Sequence, residues 1–97
     1  MYTRMVIGEA HSSEQVGEFM RIYSHEVLPE LERQPGFDSA QLLVEEGGNM
    51  AISLTKWKSR DHCLKYHSSR SYRQFAAKTQ HLLLGSFVVK IFRDQRE

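Results

Sequence analysis

The chain has 97 residues, 40% apolar and 26% charged, with a net charge of +1. That length suits one domain over positions 1–97 with one core, and the composition excludes a disordered tail. No apolar run approaches the ~20 residues of a membrane span. The single Cys63 excludes an internal disulfide and a multi-cysteine metal knot, and the N-terminus lacks a signal-peptide layout, so a cytoplasmic location is expected.

Residues 2–10 read as a strand, with Met5 and Ile7 alternating against Val6, Gly8 and Ala10. Ser12 then offers a helix cap, with Gln15 as its capping-box partner. Val16, Phe19, Met20, Tyr23, Val27 and Leu31 form the apolar stripe of an amphipathic helix. Pro29 is expected to bend or tighten its last turns, and Pro35-Gly36 to end it. The second strand runs from Phe37 to Glu46. Simple alternation sends Phe37 and Leu43 to one face, Ala40, Leu42 and Val44 to the other.

The segment "EEGGN" predicts a hairpin turn, because Gly47, Gly48 and Asn49 tolerate positive φ. Strand three is Met50 to Lys58, with Met50, Ile52 and Leu54 opposite Ala51 and Trp57. Ser59 caps a second helical region with Asp61 in its first turn, and "SSRSY" interrupts it. Helix is expected to resume near Ser71, with Tyr72, Phe75, Ala76, Thr79 and Leu83 facing inward and Gly85 closing it. Ser86 to Arg93 is the fourth strand.

The order β-α-β-β-α-β is that of an α+β, ferredoxin-like sandwich: a four-stranded antiparallel sheet with two helices on one face. The other face then carries apolar side chains with nothing over them. A second copy of the same sheet is the simplest cover, so a homodimer through the sheet faces is expected.

Charge divides unevenly along the chain. Residues 1–50 hold nine acids against three bases, whereas residues 56–78 hold seven bases against Asp61 alone. The bases are too widely spaced for a nucleic-acid-binding run, so solvated helix faces are expected, with neither nucleic acid nor membrane as partner.

The stretches "QPGFDSAQLL", "ISLTKWKSRDHCLKYHSSRSYRQF" and "LLLGSFVVKIF" resemble the antibiotic-biosynthesis monooxygenase (ABM) domain of the dimeric α+β barrel superfamily. The most specific part is the Trp-x-Ser ending strand three, with an aromatic nine residues after the Trp and a serine break behind it. The resemblance implies a ferredoxin-like subunit that pairs sheet to sheet into a barrel, and a ligand pocket between each subunit's own sheet and helices. Members include cofactor-free oxygenases of phenols, quinols or anthrones, haem-degrading enzymes, and proteins without a known reaction. Tyr66 stands where many members carry His and haem-degrading ones Trp. The stretch from Ser71 to Ala76 lacks the further His of many members, and "TRMVIGEA" lacks the strand-one Asn of haem degraders.

The implied activity is therefore a cofactor-independent monooxygenase for a small electron-rich aromatic, with no metal, flavin or haem. The alternative is a non-catalytic dimer that binds a small hydrophobic ligand; haem degradation is disfavoured by the missing Asn. The expected pocket is lined by Met20, Tyr23, Trp57, Tyr66, Tyr72 and Phe75. Tyr66 is the expected acid-base group, assisted by His62 or His67. Each residue also has a plainer reading: Trp57 as a corner residue, Tyr66 as a buried tyrosine with some partner, the histidines as exposed helix residues.

Overall fold

In the computed structural model, which describes residues 1–95, the first strand β1 spans Tyr2–Glu9. Helix α1 (Ser13–Ile22) starts where the Ser12 hydroxyl accepts a hydrogen bond from the Gln15 N–H. It runs into a π-helical stretch, Tyr23–Val27, and then a short helix α2, Leu28–Glu32. Pro29 accounts for the change of pitch. It has no N–H and its ring crowds the turn before it, and that turn widens so that the Leu28 N–H reaches back to the Tyr23 carbonyl. The buried stripe is Val16, Phe19, Ile22, Tyr23, Val27 and Leu31. Ile22 is on it and Met20, at 37% exposed, is not: Met20 lies about 100° round the helix from Phe19.

Strands β2 (Phe37–Val44) and β3 (Met50–Trp57) form the expected hairpin, with Gly47 at φ 75° in the turn. Helices α3 (Arg60–His67) and α4 (Arg70–Thr79) are each capped by a serine, Ser59 and Ser69. The serine break is therefore one cap-to-cap joint, and the second helix starts at Arg70. It stops earlier than the apolar stripe suggests. The Thr79 hydroxyl donates back to the Phe75 carbonyl, a 3-10 turn Gln80–Leu82 follows, and Leu83 is extended, bridging to Ala10. Gly85, at φ 78°, turns the chain after that bridge and does not cap the helix. Strand β4 is Val88–Arg93.

The sheet is antiparallel, in the order β2-β3-β1-β4, and this is the α+β ferredoxin-like arrangement. Arg4, Val6 and Gly8 of β1 face the helices together with Ala51, Thr55 and Trp57 of β3, and Ala10 just beyond β1 is buried as well. One strand departs from simple alternation. A bulge between Phe37 and Ser39 sets Phe37 opposite Trp57, so Phe37 lies on the covered face with Ala40 and Leu42. Of the apolar residues of β2, only Leu43 then points to the open face.

Candidate functional site

The site lies between the covered face of the sheet and the helices. Trp57, fully buried, donates its indole N–H to the Thr55 hydroxyl at 2.9 Å. Its ring stacks on Tyr66 at 5.2 Å and meets Phe37 edge-on at 5.6 Å. The Tyr23 hydroxyl pairs with Ser53 Oγ at 3.0 Å. Tyr72 leans on Tyr66 from α4, and Phe75 closes the far side against Phe19 and Tyr23.

Arg4 enters this aromatic wall from β1. Its side chain is only 2% exposed, and its guanidinium lies 4.1 Å from the Tyr72 ring centroid and 5.3 Å from that of Tyr66. Arg4 Nε donates to His67 Nδ1 at 3.2 Å. Arg4 Nη2 is buried and has no hydrogen-bond partner among the described residues. Arg4 is not among the candidates that motif and resemblance single out, but it shares the parity of Val6, Gly8 and Ala10, so a charge falls at an inward position.

Burial pushes the Tyr66 hydroxyl up to about 12, with the Arg4 charge opposing. Tyr23 is likewise raised by burial. His67 is lowered from its ordinary value, by burial first and by Arg4 second. Because its Nδ1 accepts from Arg4, the neutral ring carries its proton on Nε2. The two tyrosines are thus hydrogen-bond donors at neutral pH, and His67 is an uncharged ring held by a cation.

The candidate residues are distributed unevenly. Tyr23, Tyr66, Tyr72 and Phe75 line one inner cavity of about 20 Å³, together with Arg4 and Thr55. Trp57 backs that lining through Tyr66. Met20 lies apart, beside the β2–β3 turn. His67 meets the site through Arg4 and Tyr72. His62 is tied into the α3 cap, with Nδ1 2.8 Å from Ser59 Oγ, and its ring lies against Gly36 so closely that any Cβ there would strike it. Gly36 also has φ 80°, which explains the Pro-Gly corner.

The inner cavity has room for about one water molecule. A groove of about 370 Å³ lies outside it, between the π-helical stretch and α4, and the two share Val27, Tyr66 and Phe75 as a common wall. Among the described residues no three His, Cys, Asp or Glu side chains gather as metal ligands, and no helix is long and apolar enough to cross a membrane.

An aromatic chamber between a four-stranded antiparallel sheet and its helices defines the protein as an α+β domain of the ferredoxin-like class. The chain belongs to the antibiotic biosynthesis monooxygenase family, whose model matches residues 5–78. Among solved structures it is similar to the ActVA-Orf6 monooxygenase of Streptomyces coelicolor in complex with nanaomycin D: 13% identity over 99% of this chain and 88% of that one, TM-score 0.86. It is also similar to SnoaB, a cofactor-independent oxygenase from Streptomyces nogalater: 18% identity, 99% and 94% covered, TM-score 0.81. Rv0793 from Mycobacterium tuberculosis shares the fold at 14% identity, with 100% and 98% covered and a TM-score of 0.78. No curated protein matches the chain in sequence.

Proposed function

We propose that the protein is a cofactor-independent monooxygenase acting on a small electron-rich aromatic of the phenol, quinol or anthrone type. The observation that supports it most is the lining of the chamber, where Tyr23, Tyr66, Tyr72 and Phe75 stand around one cavity with Trp57 behind. Membership of the family supports the reaction type, and the similar Streptomyces coelicolor monooxygenase holds a small-molecule ligand, nanaomycin D.

The chemistry asks little of the protein. An ionised substrate gives one electron to O2; the resulting radical and superoxide combine at carbon, and the peroxide takes a proton. Loss of water then leaves a carbonyl, so that an anthrone CH2 and O2 become C=O and H2O. The protein orients the ring, excludes water and binds the developing oxyanion. Tyr66 is the proposed donor to that oxygen, since it keeps its proton until about pH 12. The substrate enters from the groove between the π-helical stretch and α4, where the Tyr66 and Phe75 wall turns aside. His62 and His67 are the weaker members of the proposed set, because one caps α3 and the other is held by Arg4.

The rival reading is a non-catalytic dimer that binds a small hydrophobic molecule. It is favoured by the lining of the cavity, which includes no histidine. Oxygen uptake with a panel of anthrones and hydroquinones separates the two. The oxygenase shows substrate-dependent uptake that falls in Tyr66→Phe. Uptake unchanged in Tyr66→Phe, His62→Ala and His67→Ala clears all three residues of a role. No uptake with any substrate favours the binding module.

A further inference from the structure

We propose that Arg4 is the anion-binding group of the chamber and that its ligand is an aromatic compound in its ionised form, a phenolate or the enolate of an anthrone-type ketone. The inference rests on the reading of the chamber as an aromatic site; it adds the residue that selects the ionised form of the ligand. Arg4 lies one position before the span matched by the family model.

A buried arginine is costly unless its charge and its donors are met. Four ion pairs are present among the described residues, and none includes Arg4. The Tyr66 and Tyr72 rings offset part of its charge through their π faces, and neutral His67 accepts from Nε. Nη2 remains without a partner among the described residues, and Arg4 is one of the residues that line the cavity. Buried donors in folded proteins are rarely left so. A negatively charged oxygen supplies both the missing acceptor and the missing countercharge, and in this low-dielectric setting the pair is much stronger than in water.

The surroundings narrow the ligand. Tyr66, Tyr72 and Phe75 give the cavity an aromatic lining, which suits a ring. The other charged groups near the entrance cancel: Glu26 pairs with Lys78 and Glu30 with Arg33, leaving Arg4 as the uncompensated charge. The lining holds no histidine or carboxylate, Tyr23 and Tyr66 keep their protons at neutral pH, and His67 outside it is engaged by Arg4. Ionisation then follows from Arg4 lowering the ligand's own pKa, as an adjacent cation does for any acid. A ring that displaces the shared Tyr66 and Phe75 wall from the groove side brings its oxygen within reach of Nη2.

The test uses 4-nitrophenol, whose phenolate absorbs at longer wavelength than the phenol, and its methyl ether, 4-nitroanisole. At a pH below the free phenol's pKa, the wild-type protein is expected to produce the phenolate band and to bind the ether roughly tenfold more weakly or worse. Arg4→Gln loses the band, and Arg4→Lys keeps part of it. A neutral-phenol spectrum on binding, equal affinity for the ether, or no binding of 4-nitrophenol at millimolar concentration overturns the proposal. The wild-type comparison decides the matter even if Arg4→Gln fails to fold. Nitrophenol is electron-poor and need not turn over. A phenolate band without oxygen uptake on anthrones therefore leaves this inference standing and removes the oxygenase reading. Anthrone oxidation by a protein that binds neutral nitrophenol does the reverse.

Discussion

On the covered face of the sheet, Arg4, Ser53 and Thr55 lie beneath the helices; on the open face, Ile7, Leu43, Ile52, Leu54, Val88 and Phe92 have no helix or strand over them among the described residues. Leu43, Val88 and Phe92 are 41%, 49% and 45% exposed. The interior holds a charge and hydroxyls, while much of the outer sheet is apolar. Each is unfavourable in a lone subunit: the covered face leaves Arg4 Nη2 without an acceptor among the described residues, and the open face leaves apolar side chains exposed. The two faces can differ this much because successive side chains of a strand point in opposite directions.

The largest expected effect concerns the open face. Wild-type protein is expected to scatter light as a dimer at micromolar concentration, and Ile52→Lys or Leu43→Lys, in mid-strand, to give monomer or aggregate. A wild-type monomer would break the comparison at once. Leu42→Lys is a contrasting control: Leu42 packs beneath the helices, so that change is expected to unfold the subunit and not merely to separate two copies.

On the covered face, Trp57→Ala removes a fully buried ring that touches Phe37 and Tyr66 and leaves Thr55 without its donor. The expected loss is ~3–5 kcal/mol in a urea titration.

A smaller effect appears in alkali. Tyr66 holds its proton to about 12 in the folded state, above the ordinary tyrosine value near 10. A raised folded pKa contributes stability that is complete below the unfolded value and is lost as pH climbs through the folded one. Unfolding free energy should therefore fall by about 2–3 kcal/mol between roughly pH 10 and 12. Tyr66→Phe should flatten that part of the profile; an equally steep fall in the variant would assign it elsewhere, with Tyr23 next in line.

The smallest shift should come from Arg4→Met. An apolar side chain of similar length removes a buried charge, so stability should stay level or rise by ~1–2 kcal/mol. A marked loss of stability would show that the cation holds the subunit together and is not kept for a ligand.

Much of this molecule was legible as periodicity. The order of elements, the serine caps at Ser12 and Ser59, the Pro-Gly corner and the inward positions of Tyr23 and Tyr72 follow from spacing and local backbone chemistry, and the family resemblance implies the place of Tyr66. Local rules failed where a distant contact chose the outcome. The bulge after Phe37 sets that ring opposite Trp57, and a period of two cannot announce an extra residue. The early end of α4 reflects the pairing of Leu83 with Ala10 across the sheet. His62 shared a helical face with Tyr66 in sequence, yet its cap bond to Ser59 and its packing on Gly36 hold it away from the chamber.

The sequence by itself determined the fold class, through hydrophobic period and turn residues, and placed most of the aromatic wall, because ring-bearing positions fall at helical and strand spacings. Only the tertiary structure decided that Arg4 stands within that wall. Its strand parity put it inward, but its meeting with Tyr66, Tyr72 and His67 joins residues more than sixty positions away. Contacts of that range are set by how α3 and α4 dock on β1, and docking is a property of the packed core, not of any local stretch of chain.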